Sequence, residues 1–267
     1  MEELQLDNIC SKARQVVAFA VEFLRRERAR FDNGKVEYKG FNDLVSYVDK
    51  GSEKLLVDGL MPLIPNAGFI TEENTLTITD REWKWIIDPL DGTTNFVHGI
   101  PCFCVSVGLM YNEKMVLGIV HEVNLDECFY GWKGGGVYLN GLAIKVSVTK
   151  ELKKSLIATG FPYTNYERMG PYMQVFDFCM RNTQGLRRLG SAAVDLAYVA
   201  CGRFEGFYEY GLNAWDVAAG VFLVQEAGGT VGDFQGGDNC IFGKEIIATN
   251  AMVFDEFLGE VKMAFQP

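Results

Sequence analysis

The chain has 267 residues, with 25 Lys+Arg against 35 Asp+Glu and a formal net charge of −10. Apolar residues make up 48%, enough for a sizeable core, which excludes disorder over most of the length. The negative balance argues against a general grip on nucleic acid, yet it leaves room for an anionic substrate, because a bound cation reverses the local sign.

Leu6, Ile9, Ala13, Val16, Val17, Ala20 and Leu24 recur at spacings of three and four. That spacing predicts a first helix with one apolar face and Asp7 as its N-cap. Arg25, Arg26, Arg28 and Arg30 at its far end read as a solvated basic face suited to the helix C-terminal dipole, or as a contact for RNA or an acidic partner. A second helix is expected from Asp43 to Met61, stopped by Pro62. AGFITEEN reads as a short strand before Glu72 and Glu73, and Trp83–Ile87 as a strand ending at Asp88-Pro89. Residues 102–150 read as a run of strands: FCVSVGLMY, VLGIVHEV, ECFYGW, GVYL and IKVSVT, with Asn140-Gly141 as a hairpin turn.

The second half alternates more clearly. Strand SLIATGF, a helix near 171–182, helix SAAVDLAYVACG and strand FEGFYEY come first. Helix AWDVAAGVFLVQE, closed by Gly228-Gly229, precedes strands GTVGDF and EIIATN and a last helix from about Ala251. The fold class is α+β (mixed α/β), since the first half lacks strict βαβ alternation. A soft boundary near residue 148 divides 1–148 from 149–267, and with no Pro/Ser-rich linker the halves are expected to interlock as one catalytic unit. The acidic N-terminus lacks the basic region of a signal peptide, and no run of about 18 apolar residues exists to span a membrane. The seven cysteines show no C-x-x-C and read as reduced thiols, so a cytoplasmic location is expected.

The informative feature is acid in apolar surroundings. Asp88 follows Trp-Lys-Trp-Ile-Ile, and Asp91 follows three residues later, before Gly92. Asp216 opens an apolar helix, and Glu72 and Glu73 close a short apolar strand. Carboxylates there are costly unless paired, protonated or bound to metal, and oxygen donors with only two histidines in the chain suit Mg²⁺ over zinc. Each also has a plainer reading. Asp88 serves equally as a turn acid, Asp216 as a helix-start acid, and Glu72 and Glu73 as exposed loop charges.

Trp85-Ile86-Ile87-Asp88-Pro89-Leu90-Asp91-Gly92-Thr93-Thr94-Asn95-Phe96 resembles the first signature of the inositol monophosphatase family. Trp215-Asp216-Val217-Ala218-Ala219-Gly220, running on to Glu226-Ala227-Gly228-Gly229, resembles the second. Thr71-Glu72-Glu73, Lys39–Val45 and Gly190-Ser191-Ala192-Ala193 fall in the family's order, so the resemblance spans nearly the whole chain and looks like a bacterial-type member. It implies a layered αβαβα sandwich of the sugar-phosphatase type. It implies a first Mg²⁺ on Glu72, Asp88 and the Leu90 carbonyl, a second on Asp88, Asp91 and Asp216, and a third, weaker ion leaning on Glu72. The catalytic assignments are Thr93, Asp49 and Glu72, with the Thr93 hydroxyl and Asp49 orienting and deprotonating the attacking water. Gly92 and Thr93 would meet the phosphate. Asp91, the Ala192 N–H and Glu209 would meet substrate hydroxyls, and Lys39 would close over from a loop spanning 33–42. Arg187 and Arg188 would screen the phosphate or support a subunit contact, and Tyr210 and Asn213 would sit at the substrate rim.

The implied reaction is hydrolysis of a small phosphorylated polyol or sugar, first among them myo-inositol monophosphate, with Li⁺ sensitivity and a homodimer expected. Fructose-1,6-bisphosphate, histidinol phosphate, NADP and 3′-phosphoadenosine-5′-phosphate are alternative esters. The alternative of another class is an RNA- or transcription-associated binding protein acting through the arginines.

Overall fold

A computed structural model describes residues 5–31, 36–40, 43–163 and 165–266, with main chain alone for 36–40 and 43–46. Helix α1 (Leu6–Arg28) buries Ile9, Cys10, Ala13, Val17, Ala20, Val21 and Leu24. Its N-cap is Gln5, not the expected Asp7. Asp7 lies in the first turn, where Oδ1 accepts the Asn8 N–H at 2.7 Å and the carboxylate suits the helix dipole. Arg25 leaves the basic cluster to donate to the Val123 carbonyl at 2.8 and 3.0 Å and to pair with Asp126. Arg28 stacks its guanidinium 5.7 Å from the rings of Phe31 and Phe96. Half of that cluster therefore holds the fold together.

Strands β1 (Val36–Gly40) and β2 (Asp43–Ser46) pair antiparallel ahead of helix α2 (Tyr47–Leu60). The helix expected from Asp43 thus starts four residues later, because the ladder to 36–40 claims the backbone of 43–46. It ends at Leu60, and Pro62 falls in a single 3₁₀ turn, Met61–Leu63. The segment read as a loop over 33–42 includes β1.

Strands β3 (Gly68–Thr71) and β4 (Trp83–Asp91) are parallel neighbours. Pro89 does not end β4. The strand passes through an irregularity in which Asp88 pairs with Ser106 and Asp91 with Cys104, so the proline sits where the ladder needs no N–H. Short helix α3 (Thr93–His98) follows from Gly92, whose φ of 92° is open to glycine. Strands β5 (Cys104–Tyr111), β6 (Lys114–Glu122), β7 (Glu127–Trp132), β8 (Gly136–Leu139) and β9 (Leu142–Ile144) complete an antiparallel run, with the β8–β9 turn at Asn140-Gly141. The strand expected over IKVSVT keeps only Ile144. Beyond it, Ser147 and Thr149 give their hydroxyls to Glu205 at 2.8 and 3.1 Å and leave the sheet.

The second half comprises β10 (Leu156–Thr159), α4 (Met169–Asn182), β11 (Gly185–Arg187), α5 (Ala192–Ala200) and β12 (Gly206–Tyr210). Then come α6 (Ala214–Glu226), β13 (Thr230–Gly232), β14 (Glu245–Thr249) and α7 (Phe254–Ala264). β11, unassigned in the sequence, adds to β10 in parallel. The seven-stranded sheet has order β3-β4-β5-β6-β7-β8-β9 and the five-stranded sheet β11-β10-β12-β14-β13.

Alternate residues decide the layers. Trp85, Ile87, Val105, Val107 and Leu109 face α1 and α2 in one core. Cys104, Val120, Phe207, Ile246 and Ala248 face α5 and α6, which lie between the sheets. Ile157, Tyr208 and Ile247 face α4 and α7 on the far side. The result is the layered α-β-α-β-α sandwich. Helix α6 lies close against the larger sheet because glycine is there. A Cβ on Gly118 would come 2.6 Å from the Ala219 carbonyl oxygen, and one on Gly108 3.4 Å from the Ala218 Cβ. That approach brings the start of α6, from the second half, to the end of β4, from the first.

Candidate active site

A cavity of about 550 Å³ opens where β3 and β4 end and α3, α5 and α6 begin. Its lining includes Glu72, Asp88, Leu90, Asp91, Gly92, Thr93, Ala192, Glu209 and Asp216. Asp49, buried beneath it, joins through a hydrogen bond: Thr93 Oγ1 stands 3.1 Å from Asp49 Oδ1 and 3.0 Å from the Leu90 carbonyl. The Lys39 side chain lies outside the described residues. Arg188, Tyr210 and Asn213 line the cavity, whereas Arg187 is exposed and donates to the Leu186 carbonyl.

Backbone chemistry aims the acids. At the β4 irregularity Asp88 Oδ1 accepts the Leu90 N–H at 2.9 Å, folding the chain back so that Asp91 points to the same side. Asp91 Oδ2 accepts the Ser191 hydroxyl at 2.7 Å and the Ala193 N–H at 2.8 Å, which docks the N-terminus of α5 on β4. Asp216 Oδ2 accepts the Asn213 N–H at 2.6 Å, so the helix-start reading of this acid holds as well as its place in the cavity. Ser52 of α2 donates to the Pro89 carbonyl at 2.9 Å. Glu53 accepts the N–H groups of Glu73 and Thr75, each at 2.7 Å, and so fixes the turn that carries Glu72. Asn95 ties two more segments together, donating to the carbonyls of Cys102 and Leu189 at 2.7 and 2.8 Å.

The electrostatics are those of anions held too close. Burial, then the charges of Glu72, Asp91 and Asp216, push the Asp88 carboxyl well above its usual range. Burial lifts Asp91 to about 6 against the hydrogen bonds from Ser191 and Ala193, and burial with the charge of Asp91 lifts Asp216 to about 7. Glu209 is raised well above its range by burial and then by Asp216 and Asp91. Among the described residues no three His, Cys, Asp or Glu side chains converge as a closed ligand cage. Glu72, Asp91 and Asp216 act on Asp88, and Asp91 and Asp216 on Glu209, so the five carboxylates sense one another along the cavity. Such a set of hard oxygen donors, destabilised by its own charge, fits a divalent cation of the Mg²⁺ kind.

Several residues of this site escape the sequence reading. Glu53 and Ser52 act by holding loops, and no motif announces them; Asn95 lies in the first signature, which gave it no role. Lys50, Phe161, Tyr163 and Asp195 also line the cavity. Asp195 carries the same signal that singled out Asp216, an acid in an otherwise apolar helix, AAVDLAYVA.

Comparison with known proteins matches this arrangement to one family. The sequence model of the inositol monophosphatase family fits residues 5–262. An inositol-1-monophosphatase of Mesorhizobium japonicum is 39% identical over 240 residues, covering 90% of each chain. Nus factor SuhB of Escherichia coli K12 is 39% identical over 232 residues, covering 86% of this chain and 87% of its own. The crystal structure of extragenic suppressor protein suhB from Bartonella henselae superposes with a TM-score of 0.89 at 38% identity, covering 96% of this chain and 98% of that one. No helix among the described residues is long and apolar enough to cross a membrane. The chain belongs to the inositol monophosphatase family, as a phosphoric monoester hydrolase of the bacterial type.

Proposed function

We propose that the chain hydrolyses a myo-inositol monophosphate to inositol and phosphate with Mg²⁺ as cofactor. The observation that carries this reading is that Glu72, Asp88, Asp91 and Asp216 all line one cavity beside the Thr93–Asp49 hydrogen bond. Glu72, Asp88 and the Leu90 carbonyl would hold one Mg²⁺, Asp88, Asp91 and Asp216 a second, and Glu72 a third, weaker one. When bound, the ions supply Lewis-acid polarisation of phosphate oxygens and charge neutralisation for nucleophile and leaving group.

The protein's own part follows from its hydrogen bonds. The Thr93 hydroxyl has one proton and two acceptors, Leu90 O and Asp49 Oδ1. With the Leu90 carbonyl engaged elsewhere, that proton turns to Asp49 and the Thr93 oxygen accepts from a water in the cavity. Asp49 is then the proton acceptor and Glu72 orients the water from the β3 end. The N–H groups of Gly92 and Thr93 meet the phosphate, the Ala192 N–H and the carboxyls of Asp91 and Glu209 meet the inositol hydroxyls, and Lys39 closes over them. Attack is in line with the leaving alkoxide, with no covalent phosphoenzyme.

The test is phosphate release from inositol 1-phosphate, fructose-1,6-bisphosphate, histidinol phosphate, NADP and 3′-phosphoadenosine-5′-phosphate, with Mg²⁺, with chelator and with Li⁺. The highest kcat/KM on inositol 1-phosphate, lost with chelator and lowered by Li⁺, is the expected result. Another ester ahead by tenfold, or turnover indifferent to chelator, overturns the assignment.

The relatives named Nus factor favour a second reading, an additional transcription-associated role in the cytoplasm. The arginines at 25 and 28 are already used inside the fold, and the net charge is −10. RNA binding that weakens steeply with salt would support that role; the phosphatase reading predicts none at physiological strength. We also propose a homodimer of units in which 1–148 and 149–267 interlock. Half-exposed Met173 and Met180, seven residues apart on α4, offer an apolar strip for it, and sedimentation reads the mass directly.

A further inference from the structure

Asp195 sits one turn into α5, behind the N-cap Ser191 and the residues docked on Asp91. It is 1% exposed and lines the cavity. Its Oδ1 is buried with no hydrogen-bond partner, and no cation stands within ion-pair distance of it among the described residues. Arg188 is the cation whose field reaches it. That guanidinium is itself engaged with the Tyr163 hydroxyl and stacks 5.2 Å from Phe161. The groups facing Asp195 are Glu209, Asp91 and Arg188. A carboxyl near a helix N-terminus is favoured by the dipole, which accounts for an acid in this turn. It does not account for an acceptor left without a donor, which native interiors almost always avoid.

Glu209 adds a second carboxyl along the cavity. No hydrogen bond reaches its carboxyl among the described residues, and its oxygens fill the space beside Gly160, where a Cβ would come 2.0 Å from Oε2. Two carboxyls thus line the cavity with accepting capacity unused. The Asp88 cluster lines the same cavity beside them, near enough for Asp91 to act on both. A ligand that supplies adjacent O–H donors to the two carboxyls while its phosphate meets the Asp88 cluster satisfies both.

We propose that Asp195 is a specificity-determining residue, its free Oδ1 and the Glu209 carboxyl receiving neighbouring hydroxyls of a polyol phosphate. The inference rests on the phosphatase reading above and adds one residue to it: Asp195 carries part of the preference for an ester with vicinal hydroxyls over one with none. An O–H donates to a carboxylate and to the carbonyl of a carboxylic acid alike, so this holds in either protonation state.

The test compares inositol 1-phosphate with p-nitrophenyl phosphate, which has no hydroxyl beside its ester. Both are assayed on wild type, Asp195→Asn and Asp195→Leu. The ratio of kcat/KM for the polyol ester over the aryl ester should fall about tenfold or more in Asp195→Leu, through KM. It should recover in part in Asp195→Asn, whose amide oxygen still accepts. Free inositol should inhibit Asp195→Leu more weakly by a similar factor. An unchanged ratio, or an equal loss on both esters, overturns the inference and leaves the phosphatase reading standing. A wild type inert toward both esters overturns the two together. A thermal melt separates folding from recognition: Asp195→Leu should melt no lower than wild type, since it removes an unsatisfied buried acceptor, and a lower melt with an unchanged ratio marks a structural acid.

Discussion

Two groups of buried acids divide this molecule. Glu53, Glu122 and Glu205 are 0%, 1% and 9% exposed, yet each is surrounded by donors. Glu53 accepts two backbone N–H groups, Glu122 the Asn124 amide at 2.7 Å and the Leu125 N–H, and Glu205 the Leu156 N–H and two hydroxyls. Each one pins a loop to a strand or helix. Asp88, Asp195, Glu209 and Asp216 have fewer protein donors and more acidic neighbours, and burial pushes all four toward the protonated form. The difference teaches that burial alone does not mark a functional acid. What marks it is burial beside other acids, facing a cavity, with the charged form disfavoured.

The largest effect that tests this contrast is on turnover. Asp216→Asn or Asp88→Asn should lower phosphate release by about 10³-fold or more, because each removes a carboxylate from a proposed cation site, and Asp88 belongs to two of them. The metal-free fold should survive, and its melting temperature should stay level or rise, since a destabilised carboxyl has been replaced. Near-normal turnover in both variants would place the chemistry elsewhere.

The next effect is on the metal-free protein. Asp91 and Asp216 stand at about 6 and about 7 when folded, against 3.8 as ordinary carboxyls, so the folded state holds more protons than the unfolded one between those values. Stability from these groups is complete below about pH 4 and is lost as pH rises through 6 and 7. Both contributions are gone by about pH 7.5, where the two carboxylates are charged and repel one another. Melting temperatures taken in chelator should fall across pH 5 to 7.5, and millimolar Mg²⁺ should restore them most at the upper end. A flat profile in chelator would show that the acids are relieved by something other than protons or cations.

Much of this was legible in the sequence, for a physical reason. Asp88, Asp91 and Asp216 stand out because a carboxylate in an apolar run is costly, and the motifs around them supply the strand end and helix start that aim them. Asp195 offered the same contrast without a motif, and only the cavity reveals that its Oδ1 lacks a donor. Pro89 misled because proline removes one N–H, while the strand had a position to spare at the Asp88–Asp91 irregularity. Residues 43–46 misled because a four-residue stretch fits either period, and the decision lay with its partner, 36–40. Glu53 was unreadable: its worth lies in two N–H groups twenty and twenty-two residues away.

Glu53 therefore supplies the finest test of the comparison. Glu53→Ala strips the Glu73 and Thr75 N–H groups of their acceptor at the turn bearing Glu72. Leaving buried donors unpaired costs about 1–3 kcal/mol, which for a chain of this size lowers the melting temperature by several degrees. Activity should fall as well, by about tenfold, because Glu72 loses its fixed backbone while the other carboxylates stay in place. The two classes of acid then separate by sign. Removing a donor-satisfied acid lowers the stability of the metal-free protein, and removing a donor-poor cavity acid does not. If Glu53→Ala and Asp216→Asn shift the metal-free melt in the same direction by the same amount, hydrogen-bond satisfaction is the wrong divider, and burial depth alone governs both.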